Sequence, residues 1–118
     1  MIMNPIFRYD KKNDMLVVHE GFSSDEKFEG NADIGQIVLD VSSKGRIRGI
    51  EVMNASVFLK EFGIDKKMLE RMTGAKLDAE VRPEVIMLSI TVKAGKRIQL
   101  VKIAVPTTLK QEANTLLA

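Results

Sequence analysis

The run "EVIMLSITVKAGKRIQLVKIAV", from Glu84 to Val105, constrains the fold more than any other stretch. Two β-prone segments flank the turn cluster Lys93–Lys96, which reads as a hairpin. Both carry apolar residues on both parities. Ile98, Leu100 and Ala104 share one face, and Val101, Ile103 and Val105 the other. "VIMLSITV" is built likewise. Such strands ask for cover on both faces. Either the second half of a sandwich or another copy of the chain would supply it, and symmetric dimers are the commonest assemblies. Pro106 has no N–H to give a ladder and closes the last strand.

The remainder is organised in the same short units. "PIFRYD", the turn "KKND" and "MLVVHE" form a hairpin, with Asp10 and Asp14 flanking its turn. "GFSSDEKFEGNADIG" has turn residues and no steady period, so it reads as a loop with a short extended piece around Phe28. "QIVLDV" is a strand that turns through "SSKG" into "RIRGIEVMN". The alternation of that returning strand slips, and a bulge near Gly49 restores it. Ile47, Ile50 and Val52 then face the core, while Arg46, Arg48 and Glu51 lean towards solvent.

Two short helices follow. Ser56 is placed to cap "VFLKEF", with Phe58 and Phe62 on one face and Gly63 as a left-handed stop. Asp65 is placed to cap "KKMLERM", with Met68, Leu69 and Met72 as its apolar stripe and Gly74 at its end. "AKLDAEV" is a modest strand that ends before Pro83. "TTLKQEANTLLA" suits a short terminal helix. Residues 1–118 are expected to form one α+β domain. It would have a mainly antiparallel sheet of about six or seven strands and two short helices after residue 55.

Composition removes several chemistries. The chain has no cysteine and one histidine, His19, which excludes thiolate metal sites, disulfides and any two-histidine metal site. No apolar run approaches the ~20 residues of a membrane helix. No signal peptide is seen, and a cytoplasmic location is expected. The net charge of +2, from 18 basic and 16 acidic residues, does not point to nucleic acid or a membrane. Charge is unevenly spread, however. Glu20–Asp40 holds six acidic residues and one lysine, so this segment either creates an acidic region or pairs with basic residues elsewhere.

Three groups of side chains bear on chemistry. Asp10, Asn13 and Asp14 offer hard oxygens for a cation, but the calcium-loop spacing fails at Lys12 and Met15, and a hairpin turn explains them. Asp40 and Glu51 on neighbouring strands, with His19, are the candidates for acid–base work, although Arg46 and Arg48 offer Asp40 cross-strand partners. Lys44, Arg46 and Arg48, with Lys93, Lys96, Arg97 and Lys102, are the candidates for a nucleic-acid surface. No phosphate-binding glycine loop and no nucleophile elbow is present.

Tyr9–Asp10, Asp14, Leu16 and Val18 form one block. Ile37–Asp40, Gly45–Ile47, Gly49–Val52 and Asn54–Ser56 form a second, "GRIRGIEVMNAS". Together, over about residues 9–56, they resemble the domain-of-unknown-function 2283 family of small prokaryotic proteins. The resemblance implies a fold without an assigned activity and carries over no catalytic residue. Some relatives lie beside ribonuclease-type toxin genes, which implies a binding role. The function expected is therefore a non-enzymatic protein-interaction module that self-associates, as a homodimer, without a cofactor or metal. The alternatives are an RNA-binding or toxin-neutralising module and, third, a small hydrolase using Asp40, Glu51 and His19.

Overall fold

Alternating side chains and frequent turns build two antiparallel sheets that share one core. The computed structural model describes residues 5–106. The chain runs β1 (Ile6–Asp10), β2 (Met15–His19), β3 (Phe28–Ile34), β4 (Ile37–Ser42) and β5 (Ile47–Val52). Next come α1 (Ala55–Phe58), a 3-10 turn (Lys60–Phe62) and α2 (Lys66–Glu70). The strands β6 (Gly74–Val81), β7 (Val85–Ala94) and β8 (Arg97–Pro106) complete it. The first five strands form a sheet ordered β1-β2-β5-β4-β3, and the last three a meander ordered β6-β7-β8. The hairpin β1–β2 therefore docks on β5, outside the β3–β4–β5 meander.

Period-two patterning decides which faces meet. Leu16, Val18, Leu39, Ile50 and Val52 leave the first sheet on one side, and Ile86, Leu88, Ile90, Val92 and Val101 leave the second. All belong to one buried cluster, which Leu59, Ile64, Met68 and Leu69 of the helical segment join. β6 touches β5, β2 and β1. At roughly 1.5–3 kcal/mol per buried side chain, this interlayer core is the main stabilising term.

The expected bulge is present. Asp40 pairs with Gly49 and Val41 with Ile47, leaving Arg48 as the extra residue, and Ile47, Ile50 and Val52 are all buried. Asp65 caps α2 by accepting from Met68 N–H, and Gly63 stops the 3-10 turn at φ 86°. Pro106 ends β8.

Several expectations need correction. Among the described residues there are eight strands in two sheets, rather than six or seven in one. The stretch expected to be a loop with a short extended piece around Phe28 holds a full strand, β3, from Phe28 to Ile34, at a sheet edge. Asn31 and Asp33 point away from the core there, and among its inward residues Ala32 is small. "VFLKEF" is no continuous helix: α1 ends at Phe58 and a 3-10 turn follows, although Phe58 and Phe62 still meet at 5.9 Å. Gly74 opens β6 instead of ending α2. The terminal helix read over Thr107–Ala118 lies outside the described residues.

The two-faced reading of the C-terminal hairpin is half right. The first sheet covers one face, so the chain is its own sandwich. On the other face Met87, Ser89 and Thr91 of β7 are half-buried, and β8 leaves Ile98 60% and Leu100 50% exposed. No helix among the described residues is long and apolar enough to cross a membrane.

Candidate functional site

Strand register gathers the acid–base candidates on the outer face of the first sheet. His19 on β2, Gly49 on β5 and Asp40 on β4 lie in one cross-strand row. Val17, Glu51 and Val38 form the next row, two residues along, so all three candidates share a face. The glycine in the middle lets the outer two meet: His19 Nε2 lies 3.8 Å from Asp40 Oδ2, across the space a side chain at Gly49 would fill. Glu51 joins neither by a hydrogen bond or ion pair among the described residues.

The environment of His19 argues against a base. Its Nδ1 accepts the Gly21 N–H at 2.8 Å, and Nε2 faces Asp40. Nδ1, the nitrogen without a proton, is already occupied, and Nε2 turns its proton towards Asp40, so the ring presents no unoccupied acceptor of the kind a general base needs. Burial lowers the His19 pKa, only partly offset by Asp40, and the Phe22 ring packs edge-on at 4.8 Å. Burial also raises the Asp40 pKa, with His19 opposing. These are marks of a desolvated pair.

Asp14 organises a second cluster, which joins distant parts of the chain. It sits at φ 51°, a conformation that Asp and Asn tolerate best after glycine. Its carboxylate accepts from Tyr9 Oη at 2.6 Å, Ser56 Oγ at 2.7 Å and Ser56 N–H at 3.0 Å. Its carbonyl accepts from Ala55 N–H. Ser56 is thus inside α1 and does not cap it. The flanking residue Asn54 is left-handed with no side-chain cap bond, and Asp14 of the first hairpin satisfies the helix donor instead. Burial pushes the Asp14 carboxyl up, but the bonds from Tyr9 and Ser56 outweigh it and leave the pKa below the usual value. Burial and Asp14 together push the Tyr9 hydroxyl well above its ordinary value.

The hard oxygens of the first hairpin serve separate partners. Asp10 accepts from both the backbone and side-chain amides of Asn13, closing the hairpin turn, while Asp14 serves Tyr9 and Ser56. Among the described residues no group of three or more potential ligands stands where it could hold a metal.

The acidic segment pairs with the β4–β5 turn. Glu26, fully buried in its side chain, accepts from Arg46 Nε at 2.8 Å and Nη2 at 2.7 Å. It also accepts from Ser42 Oγ at 2.6 Å and Ser23 N–H at 3.1 Å. Lys44 pairs with Asp25, and Arg48 donates to the carbonyls of Gly21 and Glu20. The expected Arg46–Asp40 and Arg48–Asp40 pairs do not form, because the β2–β3 loop folds over the turn and takes both guanidiniums. Sequence spacing gave no hint of Glu26, whose partners Ser42 and Arg46 lie 16 and 20 residues away.

The model of a family described as "Protein of unknown function (DUF2283)" matches residues 6–56. The match to this family covers less than half of the 118-residue chain. The match spans β1 to β5 and ends inside α1, so Tyr9, Asp14, Ser56 and Gly49 all lie within the DUF2283 segment. A Methanosarcina mazei protein named "Putative hypoxanthine phosphoribosyltransferase" is 28% identical over 95 residues, which cover 80% of this chain and 72% of that protein. No solved structure matches.

Proposed function

We propose that this protein is a non-enzymatic interaction module that self-associates through the β6–β7–β8 sheet. The observation that carries the reading is the β8 strand. It stands at the edge of its sheet, pairs with β7 alone among the described strands, and exposes Ile98 and Leu100. A free edge offers unpaired N–H and C=O groups to another strand. A second copy, related by a two-fold axis, satisfies those groups and covers both side chains at once.

Two other readings draw less support. The cations expected to meet RNA at Lys44, Arg46 and Arg48 are engaged by Asp25, Glu26 and loop carbonyls. Phosphoribosyl transfer, suggested by the name of the Methanosarcina mazei relative, calls for a phosphate held by free N–H groups, as at a helix start. Here Asp14 and Asp65 carboxylates already occupy the starts of α1 and α2.

Light scattering on the full chain at high micromolar concentration tests the proposal. The expected mass is twice the 13.2 kDa of one chain. Leu100→Lys, at an exposed position, should return it to a monomer. A monomeric parent protein overturns the reading.

A further inference from the structure

A second feature lies between the α2 segment and the β7–β8 turn, at the start of β8 rather than along its edge. A cleft of about 460 Å³ lies between them, lined by Asp65, Lys67, Met68, Arg71, Thr73, Ala94, Gly95 and Arg97. Its volume is within the range of small-molecule sites, ~300–1,000 Å³. Its walls are tied together: Thr73 N–H donates to Lys93 O at 2.7 Å, and Gly95 N–H to Thr73 Oγ1 at 3.2 Å.

Charge at the cleft is one-sided. Lys67, Arg71 and Arg97 bring three cations against the single carboxylate of Asp65, and Asp65 Oδ1 is committed to Met68 N–H. Among the described residues none of the three cations has a carboxylate partner, in contrast to Lys44 and Arg46. Arg97 is steadied by donating one Nη2 hydrogen to Gly63 O at 2.9 Å, which leaves the rest of its fork available. Met68 and Ala94 add apolar side chains to the lining.

We propose that this cleft binds a small organic anion, an oxyanion of the phosphate or carboxylate type carried on an apolar body. Guanidinium groups match such oxyanions in pairs of parallel N–H···O bonds, and the lysine adds a point charge. The apolar part of the lining takes the body of the ligand. This inference goes beyond self-association and holds equally for a monomer.

Amide-resolved NMR titration of the full chain with naphthyl phosphate tests it, with neutral naphthol as the control. Naphthyl phosphate should shift the amides of Met68, Thr73 and Gly95 saturably, and naphthol should bind at least about tenfold more weakly. Lys67→Glu and Arg71→Gln, both at exposed positions, should each weaken naphthyl phosphate binding about tenfold. Lys27→Glu, in the β2–β3 loop, should leave it unchanged. Raising salt should weaken binding further, since exposed charges are screened. Absence of saturable shifts at millimolar ligand overturns the proposal. So does equal binding by naphthol, or equal weakening by Lys27→Glu.

Discussion

Replacing Glu26 with glutamine tests whether one buried carboxylate holds the β2–β3 loop onto the sheet. The native group accepts two bonds from Arg46 and others from Ser42 and Ser23. Glutamine keeps the shape but turns an N–H₂ group towards donors. Removing one partner of a buried ion pair costs about 3–5 kcal/mol. The Arg46 side chain is 49% exposed, so it returns to water without being stranded, and the lower end, about 3 kcal/mol, applies. With a urea m-value of about 2 kcal/mol/M, the midpoint should fall by about 1.5 M.

The pH dependence separates this mechanism from simple misfit. Arg46 holds the Glu26 carboxyl well below the usual range, against the opposing effect of burial, with Ser42 and Ser23 assisting. The unfolded carboxyl, with a pKa of about 4.3, takes up a proton where the folded one does not. The contribution of Glu26 to stability is therefore complete above about pH 5 and is lost as pH falls towards the folded value. By about pH 3 about 2 kcal/mol of it has gone, so the gap to Glu26→Gln narrows from about 3 to about 1 kcal/mol. Urea titrations of both proteins at the two pH values read this directly. An equal gap at both, or a neutral-pH shift below about 0.5 M, refutes the reasoning.

Gly49→Ala should cost about 1–3 kcal/mol in thermal or urea melts, because the new Cβ would lie 2.4 Å from His19 Cδ2 and 2.6 Å from Asp40 Oδ2. Combining it with His19→Ala should cost less than the sum of the two single changes, and strict additivity would count against the crowded row. Ser56→Ala should lose about 1 kcal/mol and Asp14→Ala more, since Asp14 serves Tyr9 and two groups of Ser56; equal losses would contradict the assignment of Asp14 as the helix cap. The single histidine makes NMR titration unambiguous: His19 should titrate below 6.5, because burial disfavours its charged form. Its unfolded form binds a proton first as pH falls, so it withdraws stability as pH drops through and below about 6.5. A midpoint at or above that value would mean Asp40 outweighs burial.

Local chemistry was legible wherever partners are close in sequence. The hairpins β1–β2 and β7–β8, the bulge at Gly49, the Asp65 cap and the stop at Gly63 are all short-range matters of turn residues and parity. Long-range substitutions were not legible. Ser56 looks like a cap because its position fits one, yet Asp14, 42 residues earlier, does the capping. Arg46 fits a cross-strand pair with Asp40 equally well on sequence, and Glu26 is one of six acidic residues whose pairing the sequence leaves open. β3 hid because an edge strand can carry polar residues on its outward face and small ones inside. The division into two sheets was hidden too, since parity shows which residues are buried but not which layer buries them.

The layering has a consequence for what the shared segment can be in other proteins. Residues 6–56 supply only one slab of this sandwich, and its oily underside is roofed here by β6, β7 and β8, which follow that stretch. A relative built from the slab alone needs a different roof. Stacking two slabs back to back would furnish one, and β6, β7 and β8 take the place of such a twin here.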